Sequence, residues 1–166
     1  MRYVANLLAV FVVSILVGCS TTEPTELKAE KLSMEELTKS PGYSWFSAEM
    51  SNYVPNTADV SAIASTMAAN PDRTVCIFVR PTCSCRGTQR LFPQIVKSLV
   101  AANVDMSRVE IWSMRNTTDS QPYPSRLTIT ELPSIYVFSG STVHAKVSDR
   151  DYTETNASEL ISKALQ

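Results

Sequence analysis

Hydrophobic positions fall into three regimes along the chain. Val4 to Val17 is almost wholly apolar, interrupted only by Asn6 and Ser14. Ser20 to Gly42 is polar: Thr21-Thr22-Glu23-Pro24-Thr25 leads into a charged stretch from Glu26 to Lys39. Such a segment reads as a solvated tether. It holds one helix signal, the capping-box spacing of Ser33 and Glu36, and breaks at Ser40-Pro41-Gly42. From Tyr43 the pattern is that of a folded domain. Tyr43, Trp45, Phe46, Met50 and Tyr53 cluster, and Phe46, Met50 and Tyr53 have helical spacing. The cluster reads as a core-packing lid, with a ligand surface as the other reading.

Beyond the cluster the elements become regular. Asp59 is placed to cap a helix with Val60, Ile63, Ala64 and Met67 on one face, ended by Asn70-Pro71-Asp72. Thr74 to Val79 is a continuous β-branched and aromatic run, suited to a central strand buried on both faces. A turn with Pro81, Cys83 and Cys85 follows. A long helix is then predicted from the stripe Leu91, Phe92, Ile95, Val96, Leu99 and Val100. Val109 to Met114 reads as a second buried strand, Arg115 to Ser125 as loop, Leu127 to Leu132 as a short helix, and Ser134 to Phe138 as a third strand. Ser139-Gly140-Ser141 signals a hairpin turn. In Thr142 to Val147, Val143, Ala145 and Val147 should face one way, His144 and Lys146 the other. Asn156 is placed to cap a last helix carrying Leu160, Ile161 and Leu165. A βαβ unit followed by a hairpin predicts an α/β fold: a mixed sheet with helices on both faces.

Composition adds little to this picture, and cysteine chemistry adds more. The chain has 166 residues and a formal net charge of −1, which gives no electrostatic basis for a nucleic-acid partner. The apolar run, after Met1-Arg2, is short for a membrane span and has the layout of a secretory signal. It ends in Leu16-Val17-Gly18-Cys19, which resembles the lipobox of bacterial lipoproteins. The resemblance implies cleavage after Gly18 and lipidation of Cys19, with several acyl chains making a stable anchor. In lipoproteins a residue other than aspartate after the cysteine, here Ser20, usually permits transfer to the outer membrane. The expectation is therefore a signal peptide over 1–18, a lipid-anchored tether over 19–42 facing the periplasm, and a domain over 43–166. Disulfides are plausible in that compartment.

Cys76, Cys83 and Cys85 remain within the domain. Phe78-Val79-Arg80-Pro81-Thr82-Cys83 between strand and helix, and Glu131-Leu132-Pro133-Ser134 before the hairpin, make residues 59 to 166 resemble the thioredoxin-like superfamily. The resemblance implies a three-layer fold, a redox cysteine in the first motif and a cis-proline, Pro133, packed against it in the second. It implies thiol–disulfide exchange with exported proteins and no cofactor. The residues give their own reason. A cysteine at a helix N-terminus faces unpaired N–H groups and the positive end of the helix dipole, which favours the thiolate. Arg80 and Arg86 are close in sequence and could add to this.

The sequence departs from the family's Cys-x-x-Cys motif: it has Cys83-Ser84-Cys85, preceded by Thr82 rather than tryptophan. The smaller ring would be strained and more oxidising. Ile77 stands where many relatives carry a buried acid. Pro81 makes Cys83 the nucleophile, whereas Pro93 in the helix makes it Cys85 with Thr88 in the second position; both registers stay open. Cys76 reads as a buried, inert thiol, His144 as a surface residue, and Trp112 and Met114 as core. A redox-inactive binding module of the envelope is the alternative to an oxidoreductase. Soft-metal binding by Cys83 and Cys85 lacks further ligands nearby.

Overall fold

A computed structural model describes residues 27–166. The apolar run and Cys19 lie outside the described residues. The chain forms an α/β domain around one five-stranded mixed sheet. In chain order the elements are β1 (Glu30–Leu32), α1 (Met34–Lys39), α2 (Phe46–Asn52), α3 (Thr57–Ala69), β2 (Arg73–Val79), α4 (Phe92–Ala101), β3 (Val109–Ser113), β4 (Ser134–Ser139), β5 (Thr142–Val147) and α5 (Ala157–Leu165). The strand order is β1-β3-β2-β4-β5. β2 and β3 are parallel, and the other neighbours antiparallel. The arrangement is consistent with a thioredoxin-like three-layer fold.

The period-2 alternation of β2 sorts the two sides of the sheet. Val75, Ile77 and Val79 face the larger core, with Ile135 and Val137 of β4, and the helices cover them through Ile63, Phe92, Ile95, Leu99 and Ile161. Cys76, Phe78, Tyr136 and Phe138 face the opposite way, against Met114, Leu127 and Ile129. That third layer is irregular chain, so the helices expected on both faces lie on one: the buried hydrophobic side chains of α1 to α5 all belong to the larger core. The short helix predicted over Leu127–Leu132 does not form. Leu127 and Ile129 are buried while Thr128 and Thr130 are exposed, a period of two. Pro133 also disfavours helical backbone in the residue before it.

Other local expectations shift for identifiable reasons. β1 and α1 are part of the domain, although this stretch reads as tether. β1 pairs antiparallel with β3 from Glu30↔Ser113 to Leu32↔Ile111, and Leu37 and Tyr43 are buried. The Ser33–Glu36 capping box is formed. The cap of α3 is Asn56, whose Oδ1 accepts from the N–H groups of Ala58 and Asp59; Asp59 instead accepts from the Ser158 hydroxyl at 2.7 Å. Asn156 does precede α5, but its side chain turns back to the N–H of Thr153 and the carbonyl of Asp151. Val100, on the stripe of α4, is 43% exposed. A register shift in the β4–β5 ladder pairs Val137 with Ala145 but Phe138 with Val143, so His144 is the extra, exposed residue. Val143 therefore packs with the second cluster, not with Val147.

Candidate active site

The cysteine turn occupies the carboxyl end of β2, between that strand and the helix leading into α4. Cys83 and Cys85 are joined by a disulfide, with Cα atoms 5.3 Å apart, and both residues are partly exposed. The Cys85 N–H points at Cys83 Sγ at 3.3 Å. The Cys85 carbonyl accepts from Gln89 N–H at 3.0 Å and so opens the helix. The amides between them precede the first intrahelical bond, as at any helix start. The helix begins with a π-turn over Gly87–Leu91 before α4. Pro93 has no N–H for the regular ladder, so the opening turns are irregular.

Two contacts hold the turn from the amino-terminal side. Thr82 adopts φ +57°, a left-handed conformation that a β-branched residue rarely takes. Its N–H donates to the Gly42 carbonyl at 2.9 Å. A methyl group on Gly42 would lie 3.0 Å from Pro81 Cβ, so glycine permits this approach. Local strain of this kind persists only where surrounding structure fixes it.

On the other side the turn meets Pro133 and Asp149. The Leu132–Pro133 bond is cis. A methyl group on Gly87 would lie 2.9 Å from Pro133 Cδ and 2.7 Å from Asp149 Cγ. Pro133 thus packs against the helix start two residues after Cys85. Of the residues singled out in the sequence, Cys83 and Cys85 share one turn, and Pro133 lies against Gly87, two residues after Cys85. The structure adds Gly42, Thr82, Gly87 and Asp149. Gly87 carried a signal, a glycine at the start of an otherwise strong helix. Asp149 carried none locally, since the end of β5 delivers it.

The electrostatics differ from the expectation built on Arg80 and Arg86. Arg86 reaches the Asp149 carbonyl at 3.4 Å and lies 5.3 Å from the centre of the Tyr152 ring. Arg80 is exposed. Ile77 is fully buried, so β2 supplies no acid there. A carboxylate does lie against the helix start at Gly87, that of Asp149, whose Oδ1 is enclosed without a hydrogen-bond partner. The Thr88 hydroxyl is likewise buried and unpartnered.

The remaining candidates lie elsewhere. Cys76 is buried and unpaired, on the opposite side of the sheet from the helices, and burial pushes its thiol well above the ordinary range. Tyr43 and Phe46 are buried, and Phe92 packs against Tyr43, Trp45 and Phe46 with ring centres 5.1 to 6.5 Å apart, so the aromatic cluster closes the core. Met114 is buried, and Trp112 packs against the second cluster. No group of three or more metal-ligating residues occurs among the described residues, and no helix there is long and apolar enough to cross a membrane. In comparisons with known proteins, the chain matches no family model, no curated protein and no solved structure.

Proposed function

We propose that the protein is a thiol–disulfide oxidoreductase working through Cys83 and Cys85 on exported proteins. The observation that carries this is the partly exposed Cys83–Cys85 disulfide at a helix start, with Pro133 packed two residues away. In the oxidising direction a substrate thiolate attacks Cys83 Sγ. A mixed disulfide forms and Cys85 leaves as thiolate. A second substrate thiolate then attacks the substrate sulfur of the mixed disulfide. The substrate gains its disulfide and the protein keeps two thiols, having accepted two electrons. Reduction runs the same steps backwards. The assignment of Cys83 as the attacked sulfur is supported by the Cys85 N–H aimed at it, a contact that favours thiolate.

We further propose a lipid anchor on Cys19, facing the periplasm and borne by the outer membrane. Met1-Arg2, the apolar run and Leu16-Val17-Gly18-Cys19 support that reading.

The test is disulfide exchange with a dithiol peptide, comparing the full-length protein with Cys83→Ser, Cys85→Ser and the double variant. The double variant should lose exchange by 100-fold or more, on the order of the contribution of a covalent nucleophile. Cys83→Ser should be equally dead, whereas Cys85→Ser, offered the same peptide in its disulfide form, should trap a mixed disulfide on Cys83 as the peptide's other sulfur leaves as thiolate. Full activity in the double variant would remove the oxidoreductase reading. Mass spectrometry of the same preparation reports the anchor, and an unacylated Cys19 would remove that part.

A further inference from the structure

We propose that the cysteine turn faces the membrane that bears the protein, and that its partners are envelope proteins held on that same membrane, with the exchanging sulfur close to the bilayer. This deepens the oxidoreductase reading and rests on it and on the Cys19 anchor. β1 decides where the chain enters the sheet. It runs antiparallel to β3 with Glu30 opposite Ser113, and Ser113 in turn lies opposite Val79 of the parallel strand β2. Ser113 and Val79 are the last residues of their strands, and the cysteine turn follows Val79. The chain therefore enters the sheet at the end that carries the turn, two strands away, about 10 Å at the spacing of neighbouring strands.

The residues before β1 stay at that end. The Leu27 carbonyl accepts from the Ser120 N–H at 2.9 Å, and the Ala29 N–H donates to the Ser120 carbonyl at 2.8 Å, in the loop beyond β3. Leu27 and Lys28 line one cavity with Pro81 of the turn. Pro81 stands two residues before Cys83, a span of at most about 7 Å. The β4–β5 hairpin marks the opposite end of the sheet. Arg73, the first residue of β2, pairs with Ser139, and the Gly140 N–H donates to the Asp72 carbonyl at 3.1 Å. The length of β2, Arg73–Val79, puts about 20 Å between the two ends.

The covalent link to the anchor is short. Most of the stretch that reads as tether is folded into the domain, so only residues 20–26 separate Cys19 from Leu27. At full extension that link spans at most about 29 Å. A lipid on Cys19 therefore holds the entry point, and the turn beside it, near the bilayer surface. The folded domain with its charged surface stays out of the hydrocarbon, so the hairpin end is on average the farther one. A sulfur on a soluble protein must enter the gap between turn and bilayer. A sulfur near the bilayer on a co-anchored protein is already there, at an effective concentration that the shared surface raises.

The experiment reads orientation and exchange separately. Full-length, acylated protein is reconstituted on vesicles whose headgroups carry an acceptor dye. A donor dye is placed on Ser84→Cys or Ser141→Cys, both exposed positions, in the Cys83→Ser/Cys85→Ser background, where Cys76 is buried. With about 20 Å between the sheet ends, energy transfer from the turn should be about two-fold or more above that from the hairpin. Inserting about 40 glycine and serine residues after Thr22, a random-coil reach of about 35 Å, should remove most of the difference. Equal transfer, or stronger transfer from the hairpin, in protein that floats with the vesicles overturns the proposal and leaves the anchor standing. Protein that does not float removes the anchor and the proposal together. With the native cysteines, exchange is compared between two lipid-linked disulfide peptides, one with its sulfurs next to the bilayer and one behind a rigid helical spacer of about 100 Å. The near peptide should react about ten-fold faster or more. Equal rates for the two, with exchange on a soluble peptide intact, overturn the proposal while the oxidoreductase reading stands. No exchange on any peptide removes that reading and the partner class with it.

Discussion

At Gly87 the missing side chain lets two distant stretches, around Pro133 and Asp149, come against the start of the helix. Alanine there should clash with both. We expect Gly87→Ala to cost about 1–3 kcal/mol, the range for inserting a carbon into a packed site, read by urea denaturation. Exchange should slow as well, because Pro133 is pushed off the turn. An alanine variant as stable and as fast as the parent would contradict this packing. Cys83, Cys85 and Pro133 were legible in the sequence because each belongs to a short motif. Gly42, Thr82 and Asp149 were not, because what marks them is a neighbour brought in by folding: Gly42 meets a residue about 40 positions on, and Asp149 lies more than 60 positions from the helix start that it touches.

Among the elements, those with a strong apolar pattern of their own were legible: α3, β2, α4, β3, β4 and α5. β1 was not. A three-residue edge strand of sequence Glu-Lys-Leu pairs through its backbone and shows almost no apolar pattern. Side-chain contacts such as Lys31 with Glu110 at 2.8 Å add to that pairing. The stretch after β3 misled in the other direction, since a short run with Leu127, Ile129 and Leu132 suits a helix or an extended layer equally well by composition. It forms the extended layer over Phe78, Tyr136 and Phe138. We therefore expect Leu127→Ala to lose about 2–4 kcal/mol in chemical denaturation, as for a buried leucine in a core. A loss below about 0.5 kcal/mol, ordinary for a surface position, would mean that this chain does not pack on the sheet.

For the molecule as a whole, the α/β class followed from the order of periods, helix–strand–helix–strand and then a hairpin, because parallel neighbours need a crossover and antiparallel ones do not. The activity does not follow from the fold in the same way. It rests on whether the Cys83–Cys85 bond turns over. The most direct measurement is a redox titration of the full-length protein, with free thiols trapped by alkylation and located by peptide mass spectrometry. The proposal expects reversible, paired titration of Cys83 and Cys85 at a potential among those of known exchange catalysts, about −120 to −270 mV. Cys76 should remain unlabelled until the protein is denatured. A Cys83–Cys85 bond that resists reduction far below that range, or two thiols that never pair, would contradict an oxidoreductase and leave a thioredoxin-like binding module.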